Sequence, residues 1–155
     1  MYMITIGLFG TCGHSKWRFP FIERFQKLGI NFFYPIGLEA SGSTNYAEHL
    51  TGDQIVLFSI TEEDYGFKLL HELESVVEFF AETKDLSRHI VIAINPYLDG
   101  ELIGKDLQLS LVSEERRSFV TSHIRDLQIP NVHMVDSMNE MLEVSIQLYR
   151  DVEHK

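Results

Sequence analysis

Five short apolar runs, each followed by a stretch of helical periodicity or turn residues, constrain this chain more than any other feature. They are Tyr2 to Phe9, Ile30 to Tyr34, Gln54 to Ile60, His89 to Ile94 and Val132 to Val135. Between them, Trp17, Phe21, Phe25 and Leu28 recur at helical spacing, with Pro20 tolerable in a first turn and Gly29 as a stop. A second helix runs from about Gly66 to Thr83. A third, Ser113 to Leu127, opens on Ser-Glu-Glu-Arg, and a last, Ser137 to Val152, has Glu140 in capping-box position. The polar segment Gly37 to Thr44 reads as a loop able to act as a lid, before a short helix from Asn45 to Thr51. Residues 97–111 mix glycines and leucines without one clear period and stay unassigned.

Strands alternating with helices imply right-handed crossovers and a parallel sheet covered on both faces. The expected fold is α/β, a flavodoxin-like three-layer sandwich with a five-stranded parallel sheet. Its 155 residues, 45% of them hydrophobic, suit one domain spanning 1–155. Such sheets take ligands at the carboxyl ends of their strands, which gathers the loops after the first, third and fourth strands around one crevice.

Charge and cysteine usage narrow the partners. Lys and Arg total 13 against 23 Asp and Glu, a net charge of −10, and no basic run could track a phosphate backbone, so a nucleic-acid polymer is an unlikely partner. A single cysteine, Cys12, excludes an internal disulfide framework, and no apolar run is long enough for a membrane span, so a cytoplasmic protein is expected. The seven histidines show no metal-ligand spacing, and no metal or cofactor is expected.

Within the helix after the third strand, Leu69, Leu73, Val76, Val77 and Phe80 share one face, while Glu74, Glu78 and Glu82 form a solvated stripe opposite. Glu72 falls at the edge of the apolar face, roughly 90° from its centre. A carboxylate there is partly desolvated and can border a pocket; the plain alternative is a boundary glutamate paired with Lys68. Gly10-Thr11-Cys12-Gly13 is either an ordinary strand-to-helix turn or a backbone a ligand can approach, with Thr11 and Ser15 as hydroxyl partners. Cys12 with His14 specifies no nucleophile geometry. Trp17 reads as core or as a ring platform, Arg18 as a surface arginine or an anion ligand, and Asp53 as a turn residue or a pocket group. Glu62, Glu63 and Asp64 form an acidic loop that could supply a proton donor if one of them faces Glu72.

Three segments in order, Leu8-Phe-Gly-Thr-Cys-Gly-His-Ser-Lys-Trp-Arg18, Ile30-Asn-Phe-Phe-Tyr-Pro35, and Asp53 through Ile60-Thr-Glu-Glu-Asp-Tyr-Gly-Phe to Glu72, resemble the nucleoside 2-deoxyribosyltransferase superfamily, particularly its short, divergent branch. The resemblance covers about the first half of the chain. It implies a small nucleoside or nucleotide as ligand, with Glu72, six residues after Gly66, as the nucleophile of glycosyl transfer or hydrolysis. Glu63 is then the leading choice of acid. Gly10, Thr11, Cys12, Ser15, Trp17, Arg18, Asp53, Gly66 and Phe67 would line the substrate site. The resemblance also implies a homo-oligomer. Phe9 stands where relatives usually carry a small residue, and the aspartate that relatives place before the third strand has only Glu48 or Asn45 as a counterpart here. These departures keep a non-catalytic nucleotide-binding or sensing module as the alternative, and a flavodoxin-like interaction domain without a ligand as a third possibility.

Overall fold

A computed structural model describes residues 3–13, 15–35, 44–83 and 86–155, and the side chains of all these except 44 and 45. The expected loop from Gly37 to Thr44 falls almost wholly outside them, as does His14. The elements run β1 (Ile6–Gly10), α1 (Phe19–Leu28), β2 (Phe32–Phe33), α2 (Thr44–Gly52), β3 (Ile55–Ile60), α3 (Phe67–Thr83), β4 (His89–Ile94), α4 (Gly100–Lys105), α5 (Leu107–Leu127), β5 (Val132–Val135) and α6 (Met138–Glu153). All five strands pair in parallel in the order β2-β1-β3-β4-β5, the flavodoxin-like arrangement.

The side chains of β1 and β3 are buried throughout and those of β4 nearly so, which is why these strands are continuously apolar rather than alternating. Ile6, Leu8, Ile55, Leu57 and Val91 point to one face, where α1 and α6 cover them with Phe21, Phe25, Met141 and Ile146. Phe9, Val56, Phe58, Ile90 and Ile92 point to the other, packed by Tyr46 of α2, by Leu70, Leu73, Val77 and Phe80 of α3, and by Val120 and Ile124 of α5. Three layers result. Among the described residues, no helix is long and apolar enough to cross a membrane.

Residues 97–111 turn out to be helical for most of their length. Asp99 caps α4 by accepting from the Leu102 amide at 2.9 Å, and Asp106 caps α5 in the same way from Leu109. Helix α5 therefore starts six residues before the expected Ser113, which is buried and donates instead to the Tyr65 carbonyl at 2.5 Å. The buried stripe of α5 is Ser110, Ser113, Arg117, Val120 and Ile124, while Leu107, Leu111 and Val112 are exposed. Apolar periodicity is thus out of phase with burial over the first half of this helix. At the other margin β2 shrinks to two residues, and α1 begins two residues after Trp17.

Arg117 explains the inverted pattern. Its side chain is fully buried, with Nη1 donating to the carbonyls of Thr61 and Asn95, both at 2.9 Å, and Nη2 donating to the Asp64 carbonyl. Nε donates to Ser113 Oγ at 3.3 Å. One cation from α5 thereby joins the loop after β3 to the end of β4. Gly66 makes room for it: its φ is +78°, and a Cβ would sit 3.2 Å from Nη2. Replacing Arg117 by Met leaves the buried Thr61 carbonyl and the carbonyls of Asp64 and Asn95 without this donor, and we expect a loss of about 3 kcal/mol or more in urea unfolding. A variant within about 0.5 kcal/mol of wild type would show that the brace is dispensable.

Candidate functional site

Glu72 lies in the second turn of α3 and is half-buried. Its Oε1 accepts a hydrogen bond from the hydroxyl of Tyr46 on α2. That hydroxyl, rather than Lys68, is its partner; among the described residues no Lys or Arg forms an ion pair with it. Tyr46 is 9% exposed and meets Phe9 edge-on, with ring centroids 5.2 Å apart. Burial, then the hydrogen bond and the charge of Glu72, push the Tyr46 hydroxyl far above its ordinary value. Tyr46 is consequently a permanent donor, and a neutral one. The arrangement orients a carboxylate without neutralising it.

The strand-one loop is occupied largely with itself. Arg18 is buried, and it donates to the carbonyls of Leu8 at 3.0 Å, Thr11 at 2.7 Å and Gly10 at 3.3 Å. Its guanidinium lies over the Trp17 ring, 4.6 Å from the centroid, and Trp17 Nε1 also donates to the Thr11 carbonyl, at 2.8 Å. Arg18 is thus neither an exposed arginine nor free to bind an anion but a buried brace of the loop, with Trp17 packed in the core beside it. Gly10 has a φ of +117°, and a Cβ there would collide with the Ser59 carbonyl, so the glycine serves close strand approach. Thr11 stitches the same junction, its Oγ1 accepting from the Thr61 amide at 2.9 Å. Cys12 is exposed, with its thiol between the Gly10 carbonyl at 3.3 Å and Arg18 Nη2 at 3.6 Å.

The acidic loop ties the crevice together. Ser15 Oγ donates to Glu63 at 2.6 Å, and Asn95 Nδ2 donates to Glu62 at 3.1 Å, so neighbouring carboxylates reach the loops after β1 and β4. Asp64 accepts from the Gly66 amide at 2.6 Å and closes the turn into α3. Glu63 is exposed and its hydrogen bond goes to Ser15, not to Glu72. Phe67, at the start of α3, is 37% exposed.

A cavity of about 190 Å³ opens at the carboxyl ends of β3, β4 and β5, lined by Ser59, Thr61, Glu62, Asn95, Asp136 and Met138 among others. Ser59 points toward α6, where its hydroxyl meets Met138 Sδ at 3.4 Å. Glu72 and Tyr46 belong to the α2–α3 side. Cavity and carboxylate are nonetheless separate: the cavity crosses the strand ends, with Ala93, Val135 and Met138 from the α1–α6 face and Ile60 and Ile94 from the α2–α3 face, and Glu72 does not line it.

Asp53 lies at the far end of the sheet, just before β3, remote from the strand carboxyl ends. Its Oδ1 is 2.8 Å from His49 Nδ1, and Arg88 Nε donates to its carbonyl at 2.8 Å. Its Oδ2 is buried without a hydrogen-bond partner among the described residues and would be 2.6 Å from a Cβ at Gly7. Burial pushes the carboxyl up to about 6, against the opposing pull of His49 and Arg88. Tyr46, His49 and Arg117 are the participants that sequence reasoning missed. The first two are three residues apart, a same-face spacing on the short helix α2. No family model and no curated protein matches the chain.

Asp53 generates a pH prediction. Its folded-state carboxyl titrates above the ordinary 3.8, so the folded state holds the proton more tightly than the unfolded chain. Its contribution is present below 3.8 and is lost as pH rises through about 6. Asp53→Asn keeps an acceptor for His49 and removes the buried charge. Its melting temperature should exceed wild type at about pH 8, with the gap closing toward about pH 4; a variant less stable at the higher pH contradicts this assignment.

Proposed function

We propose that this protein makes or breaks the N-glycosidic bond of a small nucleoside or nucleotide, with Glu72 as nucleophile. The observation that carries the reading is the Tyr46 hydroxyl on Glu72: a half-buried carboxylate oriented by a neutral donor and, among the described residues, without a cationic partner. A carboxylate held this way stabilises positive charge developing at an anomeric carbon and can then capture it. In the first half-reaction the bond from the anomeric carbon to the base nitrogen breaks. Its electron pair leaves with the base, which takes a proton from Glu63 or from water, and a bond forms from the anomeric carbon to a Glu72 oxygen. In the second, an acceptor base (transferase) or water (hydrolase) attacks the same carbon and frees Glu72. The resemblance described above supports the substrate class, and with it assembly into a homo-oligomer. An exposed free Cys12 fits a reducing, cytoplasmic setting.

The test is turnover of a panel of deoxynucleosides and their monophosphates, with and without a free acceptor base. Base release or exchange is expected from wild type and should be abolished in Glu72→Gln. Tyr46→Phe should lower kcat by about 10- to 100-fold, the worth of one hydrogen bond to a charged group. Absence of turnover across the panel, or full activity in Glu72→Gln, contradicts the reading.

One observation favours a second reading, a nucleotide-binding or sensing module without turnover. The cavity at the ends of β3 to β5 is not lined by Glu72 or Tyr46, so a ligand could be held there away from the carboxylate. Thermal stabilisation by a nucleotide recovered intact would support it, and release of free base would reject it.

A further inference from the structure

Tyr46 reaches Glu72 from α2, a helix of two and a half turns whose opposite end is tied down in an unusual way. His49, one turn beyond Tyr46, stacks flat on Phe33 of β2, with ring centroids 3.7 Å apart and planes within 5°. Its Nδ1 contacts Asp53 Oδ1 at 2.8 Å, while the Asp53 amide donates back to the His49 carbonyl at 2.9 Å. Arg88, preceding β4, donates to the carbonyls of Leu50 and Asp53 at 2.9 Å and 2.8 Å. The end of α2 is thus pinned by side chains, and one of them is a carboxylate with a buried oxygen that no described residue satisfies. Such an atom costs stability, so its retention calls for an explanation.

We propose that the His49–Asp53 pair is a positioning element that sets, through the rigid turn of α2 between them, how the Tyr46 hydroxyl engages Glu72. Tyr46 and His49 share a face of one helix, so a shift at His49 moves the Tyr46 ring against Phe9 and changes its donation to the carboxylate. Among the described residues, the charged or titratable groups acting on Asp53 are His49 from α2 and the Arg88 guanidinium from the segment before β4, while Gly7 of β1 lies against its Oδ2. Protonation of Asp53 places a hydrogen on its unsatisfied side and removes the charged acceptor from His49, loosening the pin. Titration at one end of α2 is then read at the other. The functional meaning of this coupling rests on Glu72 being the nucleophile proposed above, but the coupling itself can be measured without turnover.

The experiment is carbon-13 NMR of the full chain labelled at glutamate, with Glu72→Gln assigning the Glu72 carboxyl carbon, followed from about pH 4 to about pH 8. Wild type should show at that carbon a step tracking the titration of Asp53, near pH 6. Asp53→Asn, which preserves the acceptor, should lose the step. His49→Gln should offset the Glu72 signal throughout while circular dichroism shows an intact fold. Superimposable Glu72 profiles in wild type and Asp53→Asn overturn the proposal. Should His49→Gln fail to fold, the Asp53→Asn comparison decides alone. A coupled step in a protein that turns over no nucleoside removes the glycosidic reading and leaves the coupling standing, whereas turnover through Glu72 with no step does the reverse.

Discussion

A buried guanidinium donating to backbone carbonyls holds the carboxyl edge of this sheet together. Parallel strands end on unpaired carbonyls, and the loops that leave them need donors that the helices do not automatically provide. Arg117 supplies them for the Thr61, Asp64 and Asn95 carbonyls from α5, and Arg18 does the same for Leu8, Gly10 and Thr11 from the start of α1. Burial lowers both guanidinium pKa values, yet an arginine stays charged at any working pH, so neither brace depends on conditions. With the loops fixed in this way, the carboxylates of Glu62 and Glu63 are held by Asn95 and Ser15 instead of drifting in solvent.

This division of labour accounts for what the amino-acid sequence discloses and what it conceals. Strands β1, β3 and β4 are legible because burial on both faces leaves no polar position to interrupt them. The parallel order follows from the helical segments between them. The first half of α5 is not legible, because there the buried side is built from Ser110, Ser113 and Arg117 while Leu107 and Leu111 face out. Hydrophobic periodicity assumes that burial is driven by apolar area, and a hydrogen-bonding brace reverses that logic. Edge strand β2 is short for a related reason: with one neighbour only, Phe32 and Phe33 are held more by aromatic contacts with Phe25 and Phe9 than by a ladder.

At the candidate site, helical spacing correctly puts Glu72 at the border of the apolar face, since that depends on α3 alone. Its partner could not be read in the same way. Tyr46 comes from a different helix, and only the crossover from β2 to β3 carries that helix over the same sheet face. Asp53 is near Glu72 in sequence terms through strand β3, but the strand's own length separates them, and its carboxyl serves α2 instead. The emerging picture is of a carboxylate whose environment is set by one short helix, anchored at its far end by a titratable pair.

The central claim, that Glu72 is the nucleophile, is tested most directly by trapping the intermediate. Wild-type protein mixed with a deoxynucleoside, quenched in acid and digested, should yield a deoxyribosyl adduct on the peptide that contains Glu72, in step with release of free base, and none in Glu72→Gln. Base release with no adduct on that peptide, or an adduct that persists in Glu72→Gln, would contradict the account.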